Sequence, residues 1–311
     1  MNTVNKIKKL IRYILYSPSK LSLAILIRVA SIIPDKQYLK WRFRLQMGYE
    51  LDLDNPQTFS EKLQWLKLYN RKPEHTQMVD KFAAKEYVAK IIGEEYIIPT
   101  LGVWDKFDNI DFDKLPDQFV LKTTHGGGNT GVVICKDKST FNKDLAKARL
   151  EQSLKSDIYK TLKEWPYKNV AKRIIAEQFI ESSERQDLAD YKFFCFNGEP
   201  KFCQVIAGRE SGITTIDWYD KNWIHQDFHE PKNYPFSKEG HTKPSCFEEM
   251  LHLASKLSVG QPFLRVDFYE IDNQIKFGEL TFFPTSGMGG FDPMEWDYKF
   301  GEWIELPLNK N

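Results

Sequence analysis

Two strand-like segments near the C-terminal end set charged and hydroxyl side chains in alternation: Arg265-Val266-Asp267-Phe268 and Gly278-Glu279-Leu280-Thr281. Side chains of a strand point to opposite faces in turn, so Arg265 shares a face with Asp267, and Glu279 shares one with Thr281. Asp272-Asn273 between them has the chemistry of a hairpin turn, which lets Asp267 and Glu279 meet across the pair. Two carboxylates among apolar neighbours are costly to bury unless a cation or a base joins them. Hard oxygen donors of this kind suit Mg2+ bridging phosphate oxygens. The alternative is that each carboxylate pairs with a lysine, Lys276 for example.

A candidate phosphate cradle lies earlier in the chain. Lys122 ends the apolar run Phe119-Val120-Leu121, and His125-Gly126-Gly127-Gly128 follows before a second run, Val132-Val133-Ile134-Cys135. The three glycines allow backbone N–H groups to approach an anion closely and to take positive φ without a steric penalty. The segment reads as a lid over phosphates, hinged between two strands. His125 either contacts the ligand or caps the loop, and taken alone a glycine-rich hairpin with no ligand fits as well. Walker A is excluded, because Gly131 leads into Val132 and Val133 rather than into a helix. A dinucleotide fingerprint fails for the same reason.

Other constellations are weaker. His225, Asp227 and His229 alternate on one predicted strand, with His241 and Cys246 further on, which would permit zinc. They lack a compact ligand pair, so a solvated hairpin face or a substrate-binding rim is preferred. No Ser/His/Asp or Cys/His arrangement supplies a side-chain nucleophile. Asp111-Phe112-Asp113 and Asp52-Leu53-Asp54 fit a glycosyltransferase metal motif poorly.

The elements that must position these residues alternate between helices and antiparallel strands. Asp54-Asn55-Pro56 is a turn before a helix with Ser60 as its cap, and a second helix is expected around Val79 to Ile92. Residues 141 to 165 are helical in character, and Ile174 to Ile180 is a buried strand. Tyr191–Phe196, Lys201–Ala207, Ile213–Tyr219 and Trp223–His229 are strands joined by turns such as Asn197-Gly198. A helix at Phe247–Leu257 precedes the pair carrying Asp267 and Glu279. This mixture gives an α+β class. The expected organisation is a basic helical extension over 1–47, an N-terminal lobe over 48–115, a glycine-loop subdomain over 116–180 and a metal- and substrate-binding subdomain over 181–311.

A chain of 311 residues suits lobes sharing a cleft, and its net charge of +1 conceals a split. Residues 1 to 47 hold Lys6, Lys8, Lys9, Arg12, Lys20, Arg28, Lys36, Lys40, Arg42 and Arg44 against one acid, Asp35, a net of +9 that leaves −8 for residues 48 to 311. An acidic body argues against nucleic acid as a partner, and the basic head is expected to meet an anionic membrane surface. The apolar run Leu21–Ile33 is too short and too polar to span a bilayer, and it reads equally as a helix packing its stripe on the body. Cys135, Cys195, Cys203 and Cys246 have no paired spacing, so reduced thiols in the cytoplasm are expected.

Five separated segments now carry a resemblance. They are Asp80-Lys81, the Lys122 strand with its glycine loop, Ile174-Ile175-Ala176-Glu177-Gln178-Phe179-Ile180, Asp190-Tyr191-Lys192-Phe193-Phe194, and Arg265-Val266-Asp267 with Gly278-Glu279-Leu280-Thr281. In order and type they resemble the ATP-grasp enzymes, and more closely their TupA-like branch, met in bacterial capsule and teichuronopeptide gene sets. The resemblance covers about residues 50 to 305. It implies two α/β lobes closing on ATP. Lys122 and Lys81 would hold phosphates, with Gly126, Gly127 and Gly128 closing over them. The strand Glu177 to Ile180, Phe179 included, would hold adenine. Lys192 would lie near the γ-phosphate, and Arg265 would stabilise the developing oxyanion. Asp267 and Glu279 would bind Mg2+. Such enzymes usually carry Asn where this chain has Thr281, which leaves the second metal position open. Thr285, Ser286 and the Gly287 backbone would touch the acceptor.

The implied reaction is ATP-dependent joining of a carboxylate to an amine, through an acyl-phosphate. In this family setting it would couple an amino acid or amine to a uronic-acid carboxyl of a surface glycan or its precursor. The alternatives are a glycosyltransferase or sugar kinase of the same capsule pathway, or a non-catalytic assembly scaffold. The enzyme would be cytoplasmic, peripheral at the inner face of the plasma membrane.

Overall fold

The computed structural model describes residues 18–128, 130–181, 188–209, 212–230 and 234–307. Lys6, Lys8, Lys9 and Arg12 of the basic head lie outside the described residues. The chain opens with helices α1 (Pro18–Arg28), α2 (Asp35–Met47), α3 (Phe59–Tyr69), α4 (Glu74–Val79) and α5 (Ala83–Ile92), followed by strand β1 (Thr100–Trp104). Strands β2 (Phe119–Thr123) and β3 (Val132–Cys135) flank the glycine loop, and helices α6 (Lys143–Leu154) and α7 (Ile158–Leu162) lead to β4 (Ile174–Gln178). Then come β5 (Asp190–Phe196), β6 (Glu199–Ala207), β7 (Thr215–Asp220), β8 (His225–Gln226), α8 (Phe247–Ser258), β9 (Phe263–Ile271), β10 (Gln274–Thr281) and α9 (Glu295–Glu302).

Two antiparallel sheets result, a four-stranded one in the order β1-β4-β2-β3 and a six-stranded one in the order β10-β9-β5-β6-β7-β8. Each has its own apolar core. Phe119, Leu121, Ile174 and Ala176 of the smaller sheet pack with Ala146 and Leu150 of α6, and Phe107, Ile110, Phe112 and Leu115 complete that cluster. The larger sheet buries one face under α8, whose Phe247, Met250, Leu253, Ala254 and Leu257 form a single helical stripe. Its opposite face meets α3 and α9 in an aromatic cluster of Phe59, Phe194, Phe196, Phe263 and Phe300.

Leu26, Ala30, Tyr38, Leu39 and Phe43 belong to the core of the larger sheet. Residues 18–47 are therefore packed elements rather than an extension, and the boundary expected after 115 cuts through the smaller core, which takes Phe107 and Leu115 from one side of it and Phe119 and Leu121 from the other. By packing, the chain divides into two cores rather than four segments. Three local expectations also change. The α3 cap is Thr58, not Ser60: Glu61 N–H donates to Thr58 Oγ1 at 3.1 Å, and Glu61 returns the favour by accepting from Thr58 N–H. Ser60 instead donates from its N–H and hydroxyl to Asp297 of α9, at 3.1 and 3.0 Å. The helix read over Val79–Ile92 breaks at Asp80, whose backbone is extended and whose carboxylate accepts from Phe82 N–H at 2.9 Å. Of Trp223–His229, only His225 and Gln226 are strand.

Candidate functional site

Between the two sheets lies a cavity of about 1240 Å3, lined from both of them and from α2. Its chemistry begins with a register change. A turn at Asp272-Asn273, both at positive φ, pairs Phe277 with Phe268 and would by simple counting set Gly278 opposite Asp267. A β-bulge between Phe277 and Glu279 shifts the ladder so that Glu279 pairs with Asp267 and Thr281 with Arg265. Without it, Glu279 would lie on the opposite face from Asp267. Gly278 makes the bulge compatible with packing, since a Cβ there would lie 3.1 Å from the Asp267 carbonyl and 3.2 Å from the Tyr269 ring.

Lys192 pairs with Asp267 on one side and Gln204 on the other, so Gln204, Lys192, Asp267 and Glu279 form one row across β6, β5, β9 and β10. Arg265 binds Asp267 through Nε (2.7 Å) and one terminal nitrogen (2.8 Å), and that nitrogen also reaches Glu279 (2.9 Å) and Thr281 (3.0 Å). Lys192 pairs directly with Asp267, and Lys81 with Glu279 at 3.1 Å. Lys276 takes no part; it donates to the Glu95 carbonyl at the surface. Burial would raise Glu279, yet Lys81, Arg265 and Lys192 outweigh it and hold the carboxyl well below its ordinary range. Burial would likewise weaken the Arg265 charge, but Asp267 and Glu279 more than offset it.

Across the cleft, Lys122 of β2 and Glu177 of β4 form an ion pair at 2.5 Å, and Lys85 of α5 reaches the other Glu177 oxygen at 2.7 Å. Burial raises the Glu177 carboxyl while the two ammonium groups lower it more, to about 2. Lys85 escaped the sequence reading; it stands on α5, whereas Lys81 lies in the turn before that helix. Phe179 and Ile180 line the cavity beside Glu177.

Gly127 and Gly128 line the cavity, Gly128 at φ +58°. His125 and Gly126 do not. His125 is buried, with Nε2 3.2 Å from the Ser153 carbonyl, so it anchors the loop to the end of α6 rather than facing a ligand. A Cβ at Gly126 would come within 2.4 Å of Thr123 Oγ1, the hydroxyl that bonds Ser153 at 2.8 Å. Gly126 thus shapes the neck of the loop by close packing. The histidines beyond β7 serve structure: His225 and His241 both bond the buried Asp217 at 3.0 Å, and among the described residues no group of three or more His, Cys, Asp or Glu could hold a metal.

The loop after Thr281 is held under strain. Thr285 and Ser286 take positive φ, 48° and 58°, a costly conformation for side chains other than glycine. Fully buried Lys67 donates to the Ser286 carbonyl and hydroxyl, both at 2.8 Å, and Gln64 donates to the Gly287 carbonyl at 2.8 Å. Arg42, Gln46, Glu164 and Tyr167 line the cleft nearby. None of Arg42, Gln46 or Lys67 carried a motif signal.

Two carboxylates and a hydroxyl on one face suit a hard cation that keeps waters and phosphate oxygens among its ligands. At the other end both oxygens of buried Glu177 are taken by ammonium groups, Oε2 by Lys122 and Oε1 by Lys85. A family model described as TupA-like ATPgrasp matches residues 61–305. No curated protein matches the chain in sequence. Among solved structures, D-alanine-D-alanine ligase from Helicobacter pylori is similar at 18% identity and a TM-score of 0.42, over 80% of this chain and 69% of that one. The Bacillus anthracis ligase complexed with ATP gives 15% and 0.40, over 73% of this chain and 63% of that one. A RimK domain ATP-grasp protein from Sphaerobacter thermophilus gives 13% and 0.39, over 76% and 70%. The chain thus spans less than two thirds of the Bacillus ligase. Among the described residues no helix is long and apolar enough to cross a membrane.

Proposed function

Because the chain belongs to the TupA-like ATP-grasp family, we propose that it is an ATP-dependent carboxylate–amine ligase that modifies a bacterial surface polysaccharide, joining an amino acid or amine to a uronic-acid carboxyl. The observation that carries the ligase chemistry is the row Lys192–Asp267–Glu279 with Arg265, facing the Lys122–Glu177–Lys85 triad across one cleft. Support for the glycan comes from the family setting alone.

In this proposal Lys122 and Lys81 bind the phosphates of ATP, and the N–H groups of Gly127 and Gly128 close over them. The β4 strand from Glu177 to Ile180 seats adenine. Asp267, Glu279 and Thr281 would hold Mg2+, which neutralises phosphate charge and orients the γ-phosphoryl group. A substrate carboxylate oxygen attacks the γ-phosphorus, the bond to the β-phosphate oxygen breaks, and ADP leaves. The amine then attacks the acyl carbon, loses a proton, and expels inorganic phosphate. Arg265 and Lys192 stabilise the charge that moves onto the transferred group and onto the tetrahedral oxygen, a pre-organised electrostatic role. No side-chain nucleophile is required.

Calorimetric titration of the full chain with Mg·ADP tests the site. Lys122→Ala should weaken binding about tenfold or more, as loss of a charge-assisted contact does. Asp267→Asn should remove its dependence on Mg2+. Unchanged binding in both would leave a non-catalytic scaffold.

A membrane position is part of the same proposal. Ile25, Ile32 and Trp41 are exposed on α1, α2 and the turn between them, Ile32 at 80%, among exposed Lys20, Arg28, Lys36 and Arg44. Bases interleaved with apolar side chains suit an anionic bilayer. Since these helices share the core, point changes test it better than truncation. Ile32→Ser with Trp41→Ser should reduce sedimentation with phosphatidylglycerol vesicles while Mg·ADP affinity is kept; equal sedimentation would refute it.

A further inference from the structure

The cleft holds more room and more charge than the nucleotide end uses. Its 1240 Å3 exceeds the roughly 300–1,000 Å3 of an ordinary ligand pocket. Its lining includes Arg42 of α2, outside the segment that the family model matches. Arg42 is only 7% exposed, and its Nε donates to Gln46 at 2.7 Å. Nη1 donates to the Tyr38 hydroxyl at 3.0 Å and to the Thr161 carbonyl. A nearly buried guanidinium that lines a cavity is suited to an anion.

The surroundings define which anion. Buried Glu164 and fully buried Lys67 act on one another and on Arg42, so the group carries one excess positive charge. That balance suits a monoanionic carboxylate better than a dianionic phosphate. Lys67 also fixes the strained Ser286 wall of the pocket, which pre-organises it. Glu164, Tyr167 and Ser286 line the same cavity as Glu279 and Thr281.

We propose that Arg42 and Gln46 form the subsite for the amine co-substrate and take the carboxylate of an α-amino acid, leaving its amine directed at Arg265, a proposal that rests on the ligase function above. Arg42 is a positioning residue here. Without its grip an amine lacking the carboxylate would enter at random orientation.

The test uses the full chain saturated with Mg2+ and a non-hydrolysable ATP analogue, titrated with each proteinogenic L-amino acid and its α-amide. At least one acid should bind, and its amide should bind roughly tenfold more weakly or worse. Arg42→Lys should weaken the acid by a similar factor while changing analogue affinity less than about twofold. Should Arg42→Lys fail to fold, Gln46→Ala, at an exposed position, must still weaken the acid. The proposal is overturned if no acid binds, if acid and amide bind alike, or if neither variant alters the acid. Failure of the analogue to bind would instead strike the ligase function, whereas Arg42-dependent choice of acid over amide would still support the subsite.

Discussion

At Glu177 one buried carboxylate answers two lysines from different elements, Lys122 on β2 and Lys85 on α5. Removing its charge leaves two ammonium groups facing each other out of water. Breaking a buried pair from one side costs about 3–5 kcal/mol, so Glu177→Gln should lower the denaturation midpoint by an amount in that range. The pH dependence has a definite sign. The folded pKa of about 2 lies below the unfolded value of 4.5, so the ion pair stabilises fully above pH 4.5 and its contribution is lost as pH falls toward 2. Acid titrations of stability should show that loss in the native chain and not in Glu177→Gln. Thr281, where related enzymes usually carry Asn, accepts from Arg265 at 3.0 Å and sits 3.2 Å from a Glu279 oxygen. The hydroxyl therefore stays in the carboxylate group, on the same face.

Between elements, two contacts decide whether the site forms. The bulge at Gly278 turns Glu279 toward Asp267, and a methyl there would press on the Asp267 backbone and the Tyr269 ring. Gly278→Ala should weaken Mg2+-dependent nucleotide binding about tenfold with little change in the Mg2+-free affinity; equal loss of both would show a general unfolding instead. Further along the same face of the sheet, α9 meets the start of α3 through Asp297 and Ser60. Burial raises the Asp297 carboxyl to about 6, which its Ser60 bonds only partly oppose. The folded state then binds more protons than the unfolded one between about pH 4 and 6, so stability falls as pH rises through that window. Asp297→Asn, able to accept the same bonds without charge, should stabilise the protein at pH 7 by up to roughly 3 kcal/mol and by nothing at pH 4. Thermal unfolding at both pH values checks this.

These contacts also mark how far the sequence reaches. The strands on both sides of the glycine loop, the α8 stripe and the two hairpin turns follow from local pattern and appear where expected. Asp267 and Glu279 were legible as a pair, but counting from the turn gives Gly278 as the partner, and only the fold reveals the bulge that corrects it. Ser60 looked like a cap because its distant partner, Asp297, is 237 residues away. His125 looked like a ligand because neighbouring glycines drew attention to it, while Ser153, which claims its ring, lies on another element.

For the whole molecule, charge proved the least informative guide. The basic excess of residues 1–47 suggested a separate head, yet Tyr38, Leu39, Arg42 and Phe43 recur at helical spacing and turn one side of α2 into the core and the cleft. An acidic body is still compatible with the proposed nucleotide, because Lys81, Lys85, Lys122, Lys192 and Arg265 converge on one cavity between two sheets. That convergence underlies the proposed activation of a carboxylate by ATP. Incubation of the full chain with Mg·ATP, an amino acid and a uronic-acid oligosaccharide labelled with 18O in its carboxylates tests it most directly. Mass spectrometry of the released phosphate should find one 18O atom per turnover, and release only with both co-substrates present. Unlabelled phosphate, or phosphate retained on a sugar hydroxyl, would contradict it.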